Sequence, residues 1–345
     1  MENSATVLVT GGTGFIGLQV IFQLLQKGYR VKTTLRSLDA QHTIMETLGQ
    51  NGITSFDHLS FIEAELTKDA HWAEAMRDCK YVLSVASPVF FDIPKDETEA
   101  MRPAIEGTLR ILKFAKNAGV KRVVMTSSFG ALGFSHTDKN TETTEADWTD
   151  PNLKGLSTYE KSKGLSERAA WDFIKKEGGD LEFATINPVA ILGPSLNAHV
   201  SGSFDILKHL LDGSMKAVPN IPLNIVDVRD VADLHIRAME NPEAKGQRFI
   251  ASADGQISMP EIAKLLKEKK PDIATKVSLK TIPNWILHLA ALFNAQARAG
   301  AMFLRVNRKV SNEKAKEMLG WTPISTNEQT ILASLESMIK YGVVK

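Results

Sequence analysis

Two side chains one helical turn apart, Tyr159 and Lys163, are the pair in this sequence best suited to chemistry. At i, i+4 spacing they share a helix face, so an ammonium can stand beside a phenol and favour loss of its proton. Alone the pair is weak evidence, because a Tyr-x-x-x-Lys arises by chance in roughly one chain in four with so few tyrosines. A second group gives it a setting. Thr10-Gly11-Gly12-Thr13-Gly14-Phe15-Ile16-Gly17 places glycines at 11, 14 and 17, directly after a predicted strand and at the opening of a predicted helix. Gly11 would permit the tight turn, Gly14 would let backbone N–H groups approach a pyrophosphate, and Gly17 would allow close helix-to-strand packing. The positive end of the helix dipole would then attract the diphosphate.

The second strand reads on which dinucleotide binds. An NAD site usually ends that strand with an acid that accepts hydrogen bonds from the adenosine ribose. Thr33-Thr34-Leu35-Arg36-Ser37 has none. Arg36 can instead make charge-assisted hydrogen bonds to a 2′-phosphate, with Ser37 and Thr13 beside it, so NADP (NADPH) is the expected cofactor.

The elements that must hold these residues follow from periodicity. Val7-Leu8-Val9 is an apolar strand, and Ile16 to Gln26 has helical spacing stopped by Gly28. Strands are expected over 30–35, 59–64, 81–86, 122–126 and 181–186, with helices over 71–77, 104–118 and 157–176 between them. Strands alternating with helices over about 190 residues predict an α/β fold: a doubly wound, Rossmann-type parallel sheet covered on both faces. After Asn187-Pro188 the rhythm breaks into helices over 202–211 and 228–239 and strands over 223–226 and 247–251, followed by a mostly helical stretch. The expected division is a dinucleotide-binding domain over 1–187 and about 224–251, with a smaller interleaved substrate lobe over about 188–223 and 252–345. Ile286 to Leu304 reads as an amphipathic lobe helix, too polar for a membrane span.

Composition sets outer limits. The chain has 345 residues, 43% hydrophobic and 23% charged, which excludes collagenous and wholly disordered classes. Lys and Arg total 41 against 40 Asp and Glu, a net charge of +1, so no global field attracts a nucleic acid. One cysteine, Cys79, allows no intrachain disulfide, and no signal peptide is apparent, which fits a reducing cytoplasm. Eight histidines show no H-x-x-x-H or H-E-x-x-H spacing, so no metal is expected. Asp227 is placed to cap the helix after it, and the acidic run from Asp138 to Asp150 reads as a solvated loop bordering the cleft.

The glycine spacing, with Tyr159 and Lys163 on a later helix, resembles the extended branch of the short-chain dehydrogenase/reductase superfamily. Val85-Ala86-Ser87-Pro88, Pro103 to Leu109 and Asn187-Pro188-Val189 are similar to the dihydroflavonol reductase, 3β-hydroxysteroid dehydrogenase and aldehyde reductase group. The resemblance implies a catalytic serine at the end of the strand over 122–126. Ser128 is preferred to Ser127 because it lies five residues before Gly133. It also implies that Glu65 and Leu66 bracket the adenine, and that Ala86, Ser87, Asn187, Pro188 and Val189 line the cofactor. The helix asparagine of the superfamily has no match in 103–109.

The activity this implies is reversible hydride transfer from NADPH to a small, largely hydrophobic aldehyde or ketone. Tyr159 donates the proton, Lys163 lowers the phenol's pKa from about 10 and holds the nicotinamide ribose, and Ser128 holds the substrate oxygen. Pro88, Phe90, Phe129 and Leu132 are the expected substrate pocket, and Leu132 stands where flavonoid-reducing relatives carry a polar residue. A monomer or homodimer without a membrane partner is expected. An alternative is a nucleotide-sugar epimerase or dehydratase, against which Phe129-Gly130 and Arg36 argue. A second alternative is a non-catalytic dinucleotide sensor, against which both Tyr159 and Lys163 argue.

Overall fold

The computed structural model describes residues 3–88, 96–293 and 295–344. Its first half is a run of strand–helix units: β1 (Asn3–Thr10), α1 (Phe15–Gln26), β2 (Tyr29–Leu35), α2 (Gln41–Gln50), β3 (Leu59–Glu63), α3 (Trp72–Met76), β4 (Tyr81–Ser84), α4 (Glu97–Asn117), β5 (Arg122–Thr126), α5 (Thr158–Glu177) and β6 (Glu182–Pro188). There follow β7 (Ala190–Leu192), α6 (Asp205–Leu211), β8 (Val218–Pro219), β9 (Pro222–Leu223), β10 (Ile225–Asp227), α7 (Val228–Glu240), β11 (Arg248–Ala251), β12 (Ile257–Ser258) and α8 (Met259–Lys269). The chain ends with β13 (Thr281–Ile282), α9 (Asn284–Ala290), α10 (Ala295–Arg305), α11 (Glu313–Leu319) and α12 (Asn327–Lys340).

Seven strands form one sheet in the order β11-β6-β5-β4-β1-β2-β3, every pairing parallel. The order reverses between β1 and β4, and the crevice outside the carboxyl ends of those strands is where a doubly wound sheet binds its ligand. Alternation along each strand builds two cores. Val7, Val9, Leu83, Val124 and Ile186 face α1, α2, α7 and the lobe. Leu8, Val82, Val123, Met125 and Phe183 face α3, α4 and α5, where Trp72, Ile111, Leu112 and Phe173 pack. Both faces are dry, as a parallel sheet requires.

The chain leaves this sheet after β6 and returns to it at β11, which pairs with β6 from Arg248↔Thr185 to Ala251↔Pro188. Between these, β7 pairs with β10, and the short ladders β9–β12 and β8–β13 frame the lobe.

Several elements differ from the sequence reading. α4 starts at Glu97, seven residues before the expected Ala104, and carries Pro103 inside it. The Asp96 side chain caps it by accepting from Thr98 N at 2.9 Å and Glu99 N at 3.2 Å, which sets the earlier start. The expected single helix over 286–304 is two helices, α9 and α10, parted by a turn in which Phe293 N donates to Ala290 O at 3.0 Å. α2, unforeseen, is a short helix burying Ile44, Thr47 and Leu48. The run from Asp138 to Asp150 is not simply solvated: Thr143 and Glu145 are buried, and Glu145 accepts from Ile250 N at 2.9 Å, tying the loop to β11. Asp227 does cap α7, accepting from Arg229 N at 2.9 Å.

Candidate active site

The glycine loop is fixed by contacts that tolerate no side chain. Gly11 has φ +73°, and a Cβ on Gly17 would lie 2.3 Å from Gly11 O. Gly12, which the spacing argument passed over, is equally constrained, since a Cβ there would lie 2.3 Å from Thr33 Oγ1. Thr10 is a further residue the sequence reading missed: its buried hydroxyl accepts from Val85 N and Ala86 N, each at 2.9 Å, and so pins the loop after β4 to the glycine loop. α1 starts at Gly14 with no side-chain cap, which leaves first-turn N–H groups for an anion. A diphosphate fits this cradle. Phe15 can contribute only its backbone, because its ring packs edge-on against Phe204 at 5.4 Å.

Arg36 stands exposed at the end of β2, where Gly11 N donates to Thr34 Oγ1 at 3.3 Å and brings the strand end against the loop. Ser37 is engaged with Asp39, donating to its carboxylate at 2.8 Å. Glu65 pairs with Lys68 at 2.8 Å, and this hydrogen bond holds its carboxyl below the ordinary range. Leu66 O accepts from Arg110 Nη1 at 2.5 Å, and a Cβ on Gly107 would meet Leu66 Cβ at 3.0 Å, so α4 braces the loop after β3.

Tyr159 lies in the first turn of α5, whose start is set by a capping box between Ser157 and Glu160. It is half-buried and close enough to Ser128 for that hydroxyl to influence its titration; Ser128 sits just beyond β5 and accepts from Gly130 N at 3.0 Å. Burial holds the phenol above its ordinary pKa, and the Ser128 hydrogen bond opposes that. The Lys163 ammonium lies 5.9 Å from the Tyr159 ring centroid, and in the protein without cofactor desolvation of the phenol dominates. Lys163 is itself buried, donates to Thr126 O at 3.4 Å, and is lowered to about 8 by burial, with the Glu167 charge pulling the other way.

Glu167, one turn beyond Lys163, is the hub that the sequence reading missed, although Tyr159, Lys163 and Glu167 run i, i+4, i+8 along one helix face. Its fully buried carboxylate accepts from Ser127 Oγ at 2.5 Å, Asn187 Nδ2 at 2.7 Å, Arg248 Nε at 2.7 Å, and Thr185 Oγ1 and Trp171 Nε1 at 3.2 Å each. Ser127 thus belongs to the scaffold and Ser128 faces Tyr159. Asn187 is likewise part of the frame: it also donates to Ser128 O at 3.3 Å and accepts from Thr185, so its side chain is not free to touch a cofactor. Val189 N is engaged with Ala251 O at 3.1 Å. Ala86, Ser87 and Pro188 lie at the carboxyl ends of β4 and β6, facing the same crevice edge as the glycine loop.

On the substrate side, Phe129 packs over Gly133, where a Cβ would come within 2.1 Å of its ring, and reaches Phe134 at 6.2 Å and, through it, Phe303 of α10 at 5.7 Å. Leu132 is 0% exposed and offers no surface to a ligand, a correction to its expected place in the pocket wall, and Phe129 at 4% offers little more. Pro88 is half-buried, and Phe90 lies outside the described residues. Among the described residues no group of three His, Cys, Asp or Glu could hold a metal, and no helix is long and apolar enough to cross a membrane.

Comparison with known proteins agrees with this geometry. Ketoreductase azaE of Aspergillus niger is 34% identical over 296 residues, covering 81% of this chain and 86% of that protein. Among solved structures, Gre2 from Candida albicans in complex with NADPH superposes with a TM-score of 0.79 at 28% identity, over 98% of this chain and 99% of Gre2. The yeast methylglyoxal/isovaleraldehyde reductase Gre2 complexed with NADPH also gives 0.79, at 26% identity and the same coverage. The model of the 3-beta hydroxysteroid dehydrogenase/isomerase family matches residues 8–256, and the chain belongs to that family.

Proposed function

We propose that this protein is an NADPH-dependent carbonyl reductase that uses Tyr159 as proton donor to a small aldehyde or ketone. The observation that carries the reading is that the Ser128 hydroxyl acts on the Tyr159 phenol, with the buried Lys163 ammonium one helical turn on, at the carboxyl edge of β5.

The N–H groups of residues 15–17 would hold the diphosphate of NADPH, Arg36 its 2′-phosphate, and Lys163 with Tyr159 the nicotinamide ribose. NADPH supplies a hydride to the carbonyl carbon. As the carbonyl oxygen gains negative charge, Ser128 donates a hydrogen bond to it and Tyr159 passes it a proton, so the product is an alcohol. Lys163 then stabilises the phenolate, and its positive charge is itself sustained by Glu167 one turn away. Phe129, Phe134 and Phe303 keep water from the oxygen as it takes up charge.

The test is Tyr159→Phe, assayed by NADPH oxidation against aldehydes, ketones and β-ketoesters. NADPH binding should persist while turnover falls by about 10²- to 10⁴-fold, the usual contribution of a positioned general acid. Undiminished turnover removes Tyr159 from the mechanism.

A further inference from the structure

Three arginines of this chain are almost completely buried, and they are treated differently. Arg122 pairs with Glu182 at 2.5 Å and donates to the carbonyls of Ala238, Met239, Asn241 and Pro242 at the end of α7. Arg248 pairs with Glu167, donates to Glu145 O and Asp147 O at 2.8 Å each, and stacks on Trp148 at 3.7 Å, leaving only Nη2 without a partner. Among the described residues Arg308 has neither an acid nor an acceptor. It is 8% exposed, and its Nε and Nη2 are buried with no hydrogen-bond partner among the described residues. Its one side-chain contact of note is the Phe303 ring, 5.2 Å from the guanidinium carbon. The charge that feels it is another cation, Lys139, whose ammonium donates to Val306 O at 2.5 Å. Burial alone lowers Arg308 to about 10, and no carboxylate opposes the shift.

Two chains of contact link Arg308 to the catalytic edge of the sheet. Through Phe303, Phe134 and Phe129 it reaches the residue that follows Ser128. Through its own carbonyl, which accepts from Asn224 Nδ2 at 3.0 Å, it is tied to the strand end after β6, because Asn224 O accepts from Ala190 N at 3.3 Å. The Oδ1 of Asn224 is also buried without a donor. An unpaired guanidinium is costly to bury, and a fold that pairs Arg122 and Arg248 so fully has no structural use for one left bare.

We propose that Arg308 is the anion-recognising residue of the substrate cleft, and that the carbonyl compound reduced here carries a compact oxyanion, a carboxylate or a phosphate, that pairs with its guanidinium. The proposal rests on the carbonyl reductase reading and narrows its substrate class from neutral aldehydes and ketones to oxo acids or phosphorylated carbonyl compounds. A planar guanidinium with two free donors suits either oxyanion. Phe303, Phe134 and Phe129 would line the path between that anchor and the reacting carbonyl.

The experiment compares matched pairs: acetoacetate with ethyl acetoacetate, 4-oxopentanoate with its ethyl ester, and glyceraldehyde 3-phosphate with glyceraldehyde. The wild-type protein should favour one class of anion over its neutral partner by at least about tenfold in kcat/KM, and the class that does so separates carboxylate from phosphate. Arg308→Leu should lower kcat/KM for the anion by about 10- to 100-fold, mainly through KM, with the neutral partner changed less than threefold. Arg308→Lys should retain part of the preference.

Equal use of anion and neutral partner by the wild type overturns the proposal, as does an equal loss of both in Arg308→Leu. Should no carbonyl compound oxidise NADPH, the reductase reading fails. Calorimetric titration of the NADP⁺ complex with 3-hydroxybutyrate and glycerol 3-phosphate then decides the site by itself. Binding that Arg308→Leu abolishes supports it, and no binding, or binding unchanged by the substitution, overturns it.

Discussion

Replacing Glu167 by Gln tests whether the buried network beneath the catalytic group does more than hold the fold. Gln keeps the shape, and its Oε1 can still accept from Arg248, Thr185 and Trp171, which all meet Oε1 of the glutamate. Its Nε2 then occupies the place of Oε2 and faces Ser127 Oγ and Asn187 Nδ2. Ser127 can rotate to accept. Asn187 can adapt only by an amide flip, after which its Nδ2 donates to Thr185 Oγ1 but its bond to Ser128 O is lost. The unrelieved conflict, or the Ser128 carbonyl left without that donor, costs about 1–3 kcal/mol, and loss of charge from the Arg248 hydrogen bond up to a further 1.5–3 kcal/mol or so. A total of about 2.5–6 kcal/mol is a large part of the roughly 5–15 kcal/mol that keeps a domain folded, so the variant should unfold at lower urea.

The same substitution removes the anion that sustains the charge of Lys163. Burial has already brought that ammonium down to about 8, and without Glu167 it falls further. If Lys163 must be charged for turnover, the alkaline limb of kcat/KM, measured by NADPH oxidation between about pH 6 and 9.5, should move toward neutrality in Glu167→Gln. An unmoved limb in a destabilised variant would reduce Glu167 to a structural role. Stability within about 1 kcal/mol of wild type would show that the network is not what orders this end of the sheet.

Arg36→Ala should raise the dissociation constant for NADPH by about 10- to 100-fold while leaving NADH unchanged, read by fluorescence titration; equal losses for both would take Arg36 away from the 2′-phosphate. The buried His235 and Asp230 of α7 predict opposed pH effects on stability. His235 donates from Nδ1 to Val231 O and accepts from Thr126 at Nε2, and burial lowers it from 6.5 to about 4, so the stability of the neutral ring, complete above pH 6.5, is lost as pH falls toward 4. Asp230, fully buried and raised by burial from 3.8 to about 7, contributes stability that is complete below pH 3.8 and lost as pH rises toward 7. Asp230→Asn removes only the second effect, so its unfolding free energy relative to wild type should rise between pH 4 and 7 by up to about 1.4 kcal/mol per pH unit. The same difference from wild type at pH 5 and pH 7 would refute this.

What the sequence disclosed about the site was whatever sat within one turn or one loop. The glycines announce themselves because the bend at Gly11 and the helix contact at Gly17 involve residues six apart. Tyr159 and Lys163 announce themselves because helical spacing puts them side by side. Gly12 did not, since the atom that forbids its side chain belongs to Thr33 on the neighbouring strand. Glu167 carried a readable signal in its own helix, but its meaning comes from Ser127, Asn187 and Arg248, which only the order β5-β6-β11 brings together. Leu132 shows the opposite failure: counting positions from Ser128 gave it a pocket role, while the turn at Phe129 to Ala131 sends it into the interior. The expected start of α4 at Ala104 fell seven residues late, because the start is set by the side chain of Asp96.

The near-zero net charge conceals how this molecule distributes its buried cations. Arg122 and Arg248 are closed off by carboxylates and carbonyls, and both serve to fasten elements: β5 to the end of α7, and β11 to α5 and the loop before it. Lys163 and Arg308 are buried with less to offset them: one 3.4 Å contact and the Glu167 charge one turn away for the first, and an aromatic ring for the second. Desolvated cations without partners are unstable unless something else supplies the opposing charge, and the two stand at the catalytic group and at the far end of the aromatic cluster that leads away from it. At Lys163 the chemistry supplies that charge, as the phenolate left by Tyr159. At Arg308 nothing in the reaction does, which leaves the substrate itself as the source of the anion.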